Sequence, residues 1–252
     1  MRVMEDVSST QRRSSQPERR IRSYVLRAGR ITTAQQRALE ELWPRFGLDV
    51  PAANVRQHTP AVLDLHRVFG RHAACSLEIG FGNGDNLLEL ARAHPQRDYI
   101  GVEVHRAGVG HLLLEAAAAE LRNLRVICHD AVEVLQQLVA PAALDEILIL
   151  FPDPWHKKRH HKRRLIQTEF VELLASRLAD GGRLQLATDW EPYAEQMLEV
   201  VKANPHFVNL AGEHGFMPRP HWRALTRFER RGQRLGHGVR DLSFQRRVRH
   251  EG

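Results

Sequence analysis

Short apolar runs alternate with segments of helical spacing along most of this chain. The apolar runs have the length and composition of buried strands, and the segments between them repeat apolar residues every three or four positions. The predicted strands cover residues 73–79, 99–104, 125–129, 146–151 and 183–188. The helices that follow them are predicted to end at Ala93, Leu121, Val139, Leu178 and Val201. This alternation predicts an α/β fold, in which a doubly wound, mostly parallel sheet carries helices on both faces.

Two helices are predicted before the first strand. The segment TAQQ, residues 33–36, has the form of a capping box, and its helix is predicted to end at residues 43–44, Trp-Pro. The Thr-Pro pair at residues 59–60 is predicted to cap a second helix that ends at Gly70. The parallel core is therefore preceded by a helical extension.

Composition divides the chain into an arm and one main domain. Residues 1–23 carry six arginines without the apolar core of a signal peptide, and they are predicted to be a disordered basic arm. An organelle transit peptide is the alternative, although the acidic residues of the arm argue against it. Residues 24–252 are predicted to form a single domain, with a helical extension at 24–70 and a Rossmann-like core at 71–252. The core is predicted to close with a polar strand at 242–247.

Charge and cysteine content indicate which partner and which cellular compartment the protein has. The chain has 252 residues, a formal net charge of +7 and a pI near 10.1, which predicts an anionic partner. No apolar run approaches the roughly 20 residues that span a bilayer, so no membrane partner is predicted. Cys75 and Cys128 both fall in predicted strands, and they are predicted to be small buried residues in a reducing compartment, the cytoplasm.

A glycine-rich turn follows the first predicted strand. In LEIGFGNG, Glu78 precedes Gly80, Gly82 and Gly84, and glycine at such a turn lets the backbone come close to a ligand. The third glycine comes one residue too early for a dinucleotide-binding G-x-G-x-x-G turn, and no Walker A lysine follows. The spacing favours another nucleotide cofactor; the alternative is a turn that only packs a strand on a helix.

Four carboxylates fall at the ends of successive predicted strands: Glu78, Glu103, Asp130 and Asp153. In a parallel sheet these ends share one edge, where ligands bind. Glu103 lies about 20 residues beyond the glycine turn, where a carboxylate can accept both ribose hydroxyl protons. Asp130 can accept from an adenine amino group or cap the next helix, and it can fill both roles. Glu78 is predicted to orient the turn or the charged end of the cofactor.

The densest chemical signal is FPDPWHKKRHHKRR, residues 151–164. Two prolines stiffen the backbone around Asp153, and rigid placement of a carboxylate is typical of an active site. Trp155 is a candidate for stacking on a base, with a core aromatic as the alternative. A metal site on the histidines is disfavoured, because no cysteine or carboxylate has a matching spacing. The basic run is predicted to bind RNA phosphates. The predicted RNA-binding patch comprises Arg159, His160, His161, Lys162, Arg163 and Arg164.

These motifs, together with RSYVLRAGRITTAQQRALEELWP, GVEVH, TDW and TRFERRGQRLGHGVRDL, resemble the bacterial tRNA (guanine-N7)-methyltransferase family. The glycine turn alone resembles the first motif of class I S-adenosylmethionine-dependent methyltransferases. The likeness runs from about residue 22 to near the carboxyl end, and FPDPWHKKRH and TRFE-x-RG are its most specific parts. It implies S-adenosylmethionine as cofactor and tRNA as substrate, methylated at N7 of a guanine in the variable loop.

Matched by motif, the resemblance also assigns roles to residues. It implies Asp153 as the catalytic residue. The implied S-adenosylmethionine contacts, with the glycine turn, are Glu78, Gly80, Gly82, Gly84, Glu103, Asp130 and Asp153. The implied tRNA contacts are Lys157, Asp189, Thr226, Arg227, Phe228 and Glu229. The family usually has GHGVWDL near its end, whereas this chain has Arg240 in place of the tryptophan.

Three other interpretations remain open at this point. A small-molecule or protein methyltransferase would keep the glycine turn but would have no use for the basic run. An RNA-binding protein that lost catalysis would not need Glu103, Asp130 and Asp153 together. A nicotinamide oxidoreductase is disfavoured by the early third glycine. The sequence implies no obligatory protein partner and leaves both a monomer and a homodimer possible.

Overall fold

The computed structural model describes residues 23–24, 30–51, 62–223 and 238–248. The helices are α1 (Thr33–Glu41), α2 (Trp43–Phe46), α3 (Leu65–Phe69), α4 (Asp85–Ala93), α5 (Arg106–Ala118), α6 (Ala131–Gln137), α7 (Thr168–Arg177) and α8 (Glu191–Lys202). The strands are β1 (Cys75–Ile79), β2 (Asp98–Val102), β3 (Leu124–Ile127), β4 (Leu144–Leu150), β5 (Leu178–Thr188), β6 (Phe207–Asn209) and β7 (Arg240–Arg246). Two short 3₁₀ helices cover Lys158–Arg163 and Gly212–His214.

The strands form one sheet in the order β3-β2-β1-β4-β5-β7-β6. The first five strands in that order pair in parallel, and β7 pairs antiparallel with both β5 and β6. The chain winds outward from β1 in one direction and then from β4 in the other. The carboxyl ends of β1 and β4 therefore flank a crevice of the kind in which doubly wound sheets bind ligands. The predicted fold class is confirmed.

Apolar side chains fill both faces of the sheet, because the parallel strands are covered by helices on both sides. All five residues of β1 are buried. One cluster packs α6, α7 and α8 on the sheet, with Leu135, Leu174 and Met197 at its centre. The other packs α1, α4 and α5 on the opposite face through residues such as Leu87 and Leu112. The two layers hold the carboxyl edge of the sheet in place.

The capping box of the first helix begins one residue earlier than predicted. Thr32, not Thr33, is the N-cap of α1: its hydroxyl accepts from the Gln35 N–H, and the Gln35 side chain accepts from the Thr32 N–H. The residues Trp43-Pro44 do not end this helix; they begin α2, where proline fits the first turn.

The next helix is shorter than predicted. Residues 59–60 lie outside the described residues, and residues 62–64 are not helical. Asp64 caps α3 by accepting from the Arg67 N–H at 3.1 Å, so this helix covers only the segment up to the predicted end at Gly70. An Asp cap satisfies a free backbone N–H of the first turn as well as a Thr cap would.

Two further predictions of strand positions were wrong. Cys128 lies one residue past β3 and is half-buried, whereas Cys75 is fully buried in β1 as expected. Gly181 and Gly182 do not precede the fifth strand; they lie within β5, at a shift in the β4–β5 register. In the described part of the chain, every helix is too short or too polar to cross a membrane.

Candidate functional site

The glycine turn between β1 and α4 has the backbone conformation that its glycines permit. Gly80, Gly82 and Gly84 have φ values of 72°, 61° and 85°, a region that residues with a Cβ rarely adopt. A Cβ added at Gly80 or Gly82 would meet nothing within 4 Å. At Gly108 on α5, a Cβ would lie 2.0 Å from the carbonyl oxygen of Gly82. The turn therefore rests on α5 on one side and leaves open space on the other, where a ligand fits.

Glu103 ties the glycine turn to the end of β2. It is 6% exposed. Its Oε2 accepts from the Gly82 N–H at 2.8 Å, and its Oε1 accepts from the N–H groups of Val104 and His105 at 2.7 and 3.0 Å. An ionised carboxylate offers about four acceptor sites, so one remains in this geometry. Contact with both ribose hydroxyls, as the sequence suggested, requires Glu103 to give up a backbone hydrogen bond.

Glu78 is the buried carboxyl at the end of β1. Its Oε2 accepts from the Asn86 side-chain amide at 2.8 Å, which joins β1 to α4 across the glycine turn. The pKa of Glu78 is raised from 4.5 to about 7, chiefly because the carboxyl is buried; the Asn86 hydrogen bond opposes this shift, and the nearby carboxylates Asp85 and Glu103 add to it. Sequence reasoning did not include Asn86. A polar residue among the apolar positions of α4 was the signal that could have indicated it.

Asp130 caps the helix that follows β3. Its Oδ1 accepts from the N–H groups of Val132 and Glu133 at 2.8 and 3.4 Å. The Asp130 N–H in turn donates to His129 Nδ1 at 2.8 Å. The capping role that the sequence left open is therefore present. Beside Asp130 lies an open groove of about 420 Å³, whose wall includes Leu165.

Asp153 lies in a loop whose backbone is strained on both sides. Phe151 and Trp155 have φ values of 53° and 46°, and such conformations cost of the order of 1–3 kcal/mol each in residues other than glycine. The Phe151 N–H donates to the carbonyl of Ala187 on β5 at 2.8 Å. Asp153 itself is exposed. Strain of this kind persists only where the surroundings impose it, which is common at active sites.

Trp155 contacts one residue of the amino-terminal segment and two residues of the basic run that follows it. Its indole N–H donates to the Ser23 carbonyl at 3.0 Å. The guanidinium carbon of Arg163 lies 4.9 Å from the Trp155 ring centroid, and the His160 ring meets it edge-on at 5.9 Å. Arg163 therefore occupies one face of the indole that the sequence suggested for base stacking.

The basic run forms the 3₁₀ helix Lys158–Arg163, directly after Lys157. Within the predicted RNA-binding patch, Arg159 and Lys162 are exposed, whereas His160, His161 and Arg163 are half-buried. Lys157, an implied tRNA contact, is also exposed. Partial burial, together with the positive charges of its neighbours, lowers the pKa of His160. The lowered pKa disfavours the charged imidazole, so lysine and arginine supply most of the positive charge of this surface.

Arg164 does not belong to this exposed patch, although the sequence placed it there. It is only 3% exposed. Its Nε donates to the Pro154 carbonyl at 2.9 Å, its Nη1 contacts Gln196, and its guanidinium carbon lies 4.7 Å from the Tyr193 ring centroid. The buried Arg164 side chain thus connects the Asp153 loop to α8 within the protein interior. Eight consecutive basic or histidine residues precede it, and the pattern alone does not separate the buried member from the exposed ones.

Asp189 follows β5 and is half-buried, so it lies at the same edge of the sheet as the other carboxylates. The next residue, Trp190, contacts the His156 ring edge-on at a centroid distance of 4.3 Å, which brings the two loops together. The remaining predicted substrate residues, Thr226 to Glu229, lie outside the described residues. Across the described ranges, no group of three or more His, Cys, Asp or Glu side chains could hold a metal ion.

A solved structure supports the fold that these contacts describe. The structure of the 16S rRNA methyltransferase KamB aligns with a TM-score of 0.52, covering 80% of this chain and 100% of that chain at 16% identity. At this identity the likeness extends to the fold alone. A family model described as "Putative methyltransferase" matches residues 72–242, which include the glycine turn and the five carboxylates at the carboxyl edge, Glu78, Glu103, Asp130, Asp153 and Asp189.

Comparison with curated sequences is more specific. The tRNA (guanine-N(7)-)-methyltransferase of Thiobacillus denitrificans is 60% identical over 90% of this chain and 96% of that protein. The protein of the same name from Stutzerimonas stutzeri is 51% identical over 97% of this chain and 99% of that protein. The aligned segments cover at least nine-tenths of each chain, so the similarity is not confined to the cofactor fold. The chain belongs to the tRNA (guanine-N(7)-)-methyltransferase family, whose members use S-adenosylmethionine.

Proposed function

We propose that this chain transfers a methyl group from S-adenosylmethionine to N7 of a guanine in tRNA, forming N7-methylguanosine. The names and high identity of the curated relatives support this assignment. The observation that carries it in the structure is the Asp153 loop, which leaves the carboxyl edge of the sheet and continues directly into an exposed basic helix. One loop thus joins a cofactor cleft to a surface for phosphates.

The residues at the carboxyl edge fit this cofactor. Gly80 and Gly82 leave open space on the cleft side of the turn. Glu103 retains one acceptor site for a ribose hydroxyl. The second carboxylate oxygen of Asp130 can accept from the adenine amino group, and Glu78 is assigned to orient the turn or the charged end of the cofactor. When bound, S-adenosylmethionine supplies an electrophilic methyl group on a sulfonium.

Guanine N7 carries an unprotonated lone pair in the plane of the base. The new N7–carbon bond therefore forms as the sulfur–carbon bond breaks, and no base needs to remove a proton from the nucleophile. The protein acts by holding N7 in line, which can be worth effective molarities on the order of 10⁵ M. Positive charge appears on the purine, and we assign Asp153 the role of stabilising it or of binding the N1–H and amino edge of guanine.

The substrate contacts extend from the same edge. Lys157 and the exposed cations of the basic helix can neutralise tRNA phosphates. Asp189 is a second carboxylate suited to the guanine edge, and Thr226 to Glu229 are assigned to the substrate by the resemblance. That resemblance also assigns the target to the variable loop. The chain is proposed to act in the cytoplasm without an obligatory partner, as a monomer or homodimer; both cysteines are unpaired, as in a reducing compartment.

The test is to incubate the purified protein with labelled S-adenosylmethionine and an unmodified tRNA transcript, digest the RNA and identify the methylated nucleoside. N7-methylguanosine at one position is the expected result. A matched transcript with adenine in place of the variable-loop guanine should incorporate no label. Methylation of a different base would contradict the proposed atom, and absence of transfer despite cofactor binding would favour a small-molecule or protein substrate.

A further inference from the structure

Arg223 and Asp241 form an ion pair in the interior that none of the roles above uses. Arg223 Nε lies 2.8 Å from Asp241 Oδ1, and Arg223 Nη2 lies 3.0 Å from Asp241 Oδ2. The two side chains are 0% and 6% exposed. The paired hydrogen bonds match the planar guanidinium to the carboxylate. Because removing both charges from water is costly, such a pair contributes little net stability, and its presence calls for another role.

The pair lies directly behind the carboxyl edge of the sheet. Asp241 on β7 is the register partner of Ala187 on β5, one residue before the end of that strand. The Asp241 carbonyl accepts from the Met217 N–H at 2.8 Å, and the Arg223 carbonyl accepts from the Arg219 guanidinium at 2.6 Å. Both partners of the ion pair are therefore also fixed through their backbones.

Arg223 connects this position to the Asp153 loop. Its guanidinium carbon lies 5.5 Å from the centroid of the Phe151 ring, within the range of a cation–π contact. The Phe151 N–H donates to Ala187, the same residue that pairs with Asp241. Phe151 is thus held by β5 through its backbone and by Arg223 through its ring, and it is the residue with a φ of 53°.

We propose that Arg223 and Asp241 are positioning residues for methyl transfer, which act through Phe151 on Asp153. The proposal rests on the function proposed above. Asp241 orients the guanidinium, the guanidinium holds the Phe151 ring, and the bend at Phe151 sets the direction in which Asp153 leaves β4. In this role neither member of the pair needs to touch the reacting atoms. Because misplacement by about 1 Å can reduce a rate about 10²-fold, the effect should appear in turnover.

The decisive variant is the double substitution Arg223→Met and Asp241→Leu. It removes both charges of the ion pair together, so neither Arg223 nor Asp241 is left buried and charged without the other. We expect a melting temperature near that of the wild type, kcat lower by about tenfold or more, and a smaller change in the dissociation constant of S-adenosylmethionine. A folded double variant with wild-type kcat would overturn the positioning role.

Arg246 provides the matched control. It is a buried arginine on the same strand, with 2% of its side chain exposed, and it pairs with Asp180 and donates to the Ala175 carbonyl. It lies at the opposite end of β7 from Asp241. Arg246→Met is expected to lower the melting temperature and to leave kcat of the folded enzyme unchanged. An equal loss of kcat in this variant would mean that general destabilisation explains the effect, and the proposal would be overturned.

Phe151→Leu tests the proposed route, and its effect in the wild-type background does not depend on how well the double variant folds. In that background it should lower kcat several-fold, and when added to Arg223→Met/Asp241→Leu it should change kcat little further, because the side chains act together. If Phe151→Leu lowers log kcat by the same amount in both backgrounds, the route through Phe151 is overturned. The wild-type reaction separates the two proposals: absence of N7-methylguanosine there contradicts the proposed function, whereas additive effects in an active enzyme contradict only the positioning role.

Discussion

Asp153 is the residue on which the proposed chemistry depends most directly. Asp153→Asn keeps the size of the side chain and one acceptor oxygen but removes the negative charge. Because positive charge moves onto the purine during transfer, we expect the single-turnover rate at saturating tRNA to fall by about 10²-fold. The measurement is the rate of N7-methylguanosine formation with labelled cofactor in excess.

The control for Asp153→Asn is Glu89→Gln, which removes an exposed carboxylate from α4. It should leave the rate unchanged. Near-full turnover by Asp153→Asn would contradict the assigned role and would make Asp189 the carboxylate that contacts guanine, since it ends the neighbouring strand at the same edge.

Glu78 makes the stability of the protein depend on pH. Burial raises its pKa from 4.5 to about 7 in the folded state, so the folded protein binds this proton more tightly than the unfolded chain. Stability therefore falls as the pH rises from about 4.5 to about 7, and the shift corresponds to roughly 3 kcal/mol at most. Glu78→Gln resembles the protonated form and should lose this part of the pH dependence.

Urea unfolding at about pH 5 and about pH 8 measures the effect. The wild type should lose stability between the two values, and Glu78→Gln should lose less and be the more stable protein at the higher pH. Equal losses in both proteins would show that the Glu78 carboxyl is ionised in the folded state across this range.

At the scale of elements, the glycine turn combines a packing role with a binding role, and two substitutions separate them. Gly82→Ala and Gly84→Ala both place alanine at positive φ, at a cost of about 1 kcal/mol each. At Gly84 the added Cβ would also lie 2.7 Å from Leu112 on α5, whereas at Gly82 it would enter open space. We expect Gly84→Ala to lower the melting temperature more, and Gly82→Ala to weaken cofactor binding more. Calorimetric titration with S-adenosylmethionine and thermal unfolding measure the two effects; wild-type affinity in Gly82→Ala would contradict the placement of the cofactor.

Element boundaries were harder to predict than element types, and α1 illustrates why. The sequence ITTAQQ offers two equivalent capping boxes one residue apart, since each threonine has a glutamine three residues later. The two capping boxes have nearly the same local energy. Packing against α5 distinguishes them, because Gly110 lies so close to the Gln35 backbone that a Cβ at Gly110 would lie 2.7 Å from the Gln35 carbonyl oxygen. The register of the helix is thus set by a residue about 75 positions away, beyond the reach of local sequence patterns.

At the scale of the whole molecule, the parallel sheet with helices on both faces could be predicted, because alternating strand and helix periods imply it. The shared location of Glu78, Glu103, Asp130 and Asp153 follows from that arrangement, since parallel strands end at one edge. The buried cations could not be predicted in the same way. Arg164 lies in a run of similar residues, and Arg223 pairs with a carboxylate on a distant strand. Which of many arginines is buried depends on tertiary contacts that composition and periodicity do not encode.

The same architecture separates charge, with carboxylates in the cleft and cations on the helix beside it. Replacing exposed Lys158, Arg159 and Lys162 by glutamine should weaken tRNA binding and reduce the slope of log affinity against log salt by about 2 to 3, if each contacts a phosphate. Filter binding between about 50 and about 200 mM salt measures the slope.

The matched control replaces three exposed cations near the opposite edge of the sheet: Arg92, Arg122 and Lys202. Both triple variants lower the net charge equally. If both reduce the slope of log affinity against log salt by the same amount, tRNA binding depends on overall charge. If only the first variant reduces the slope, the phosphate contacts belong to the basic helix.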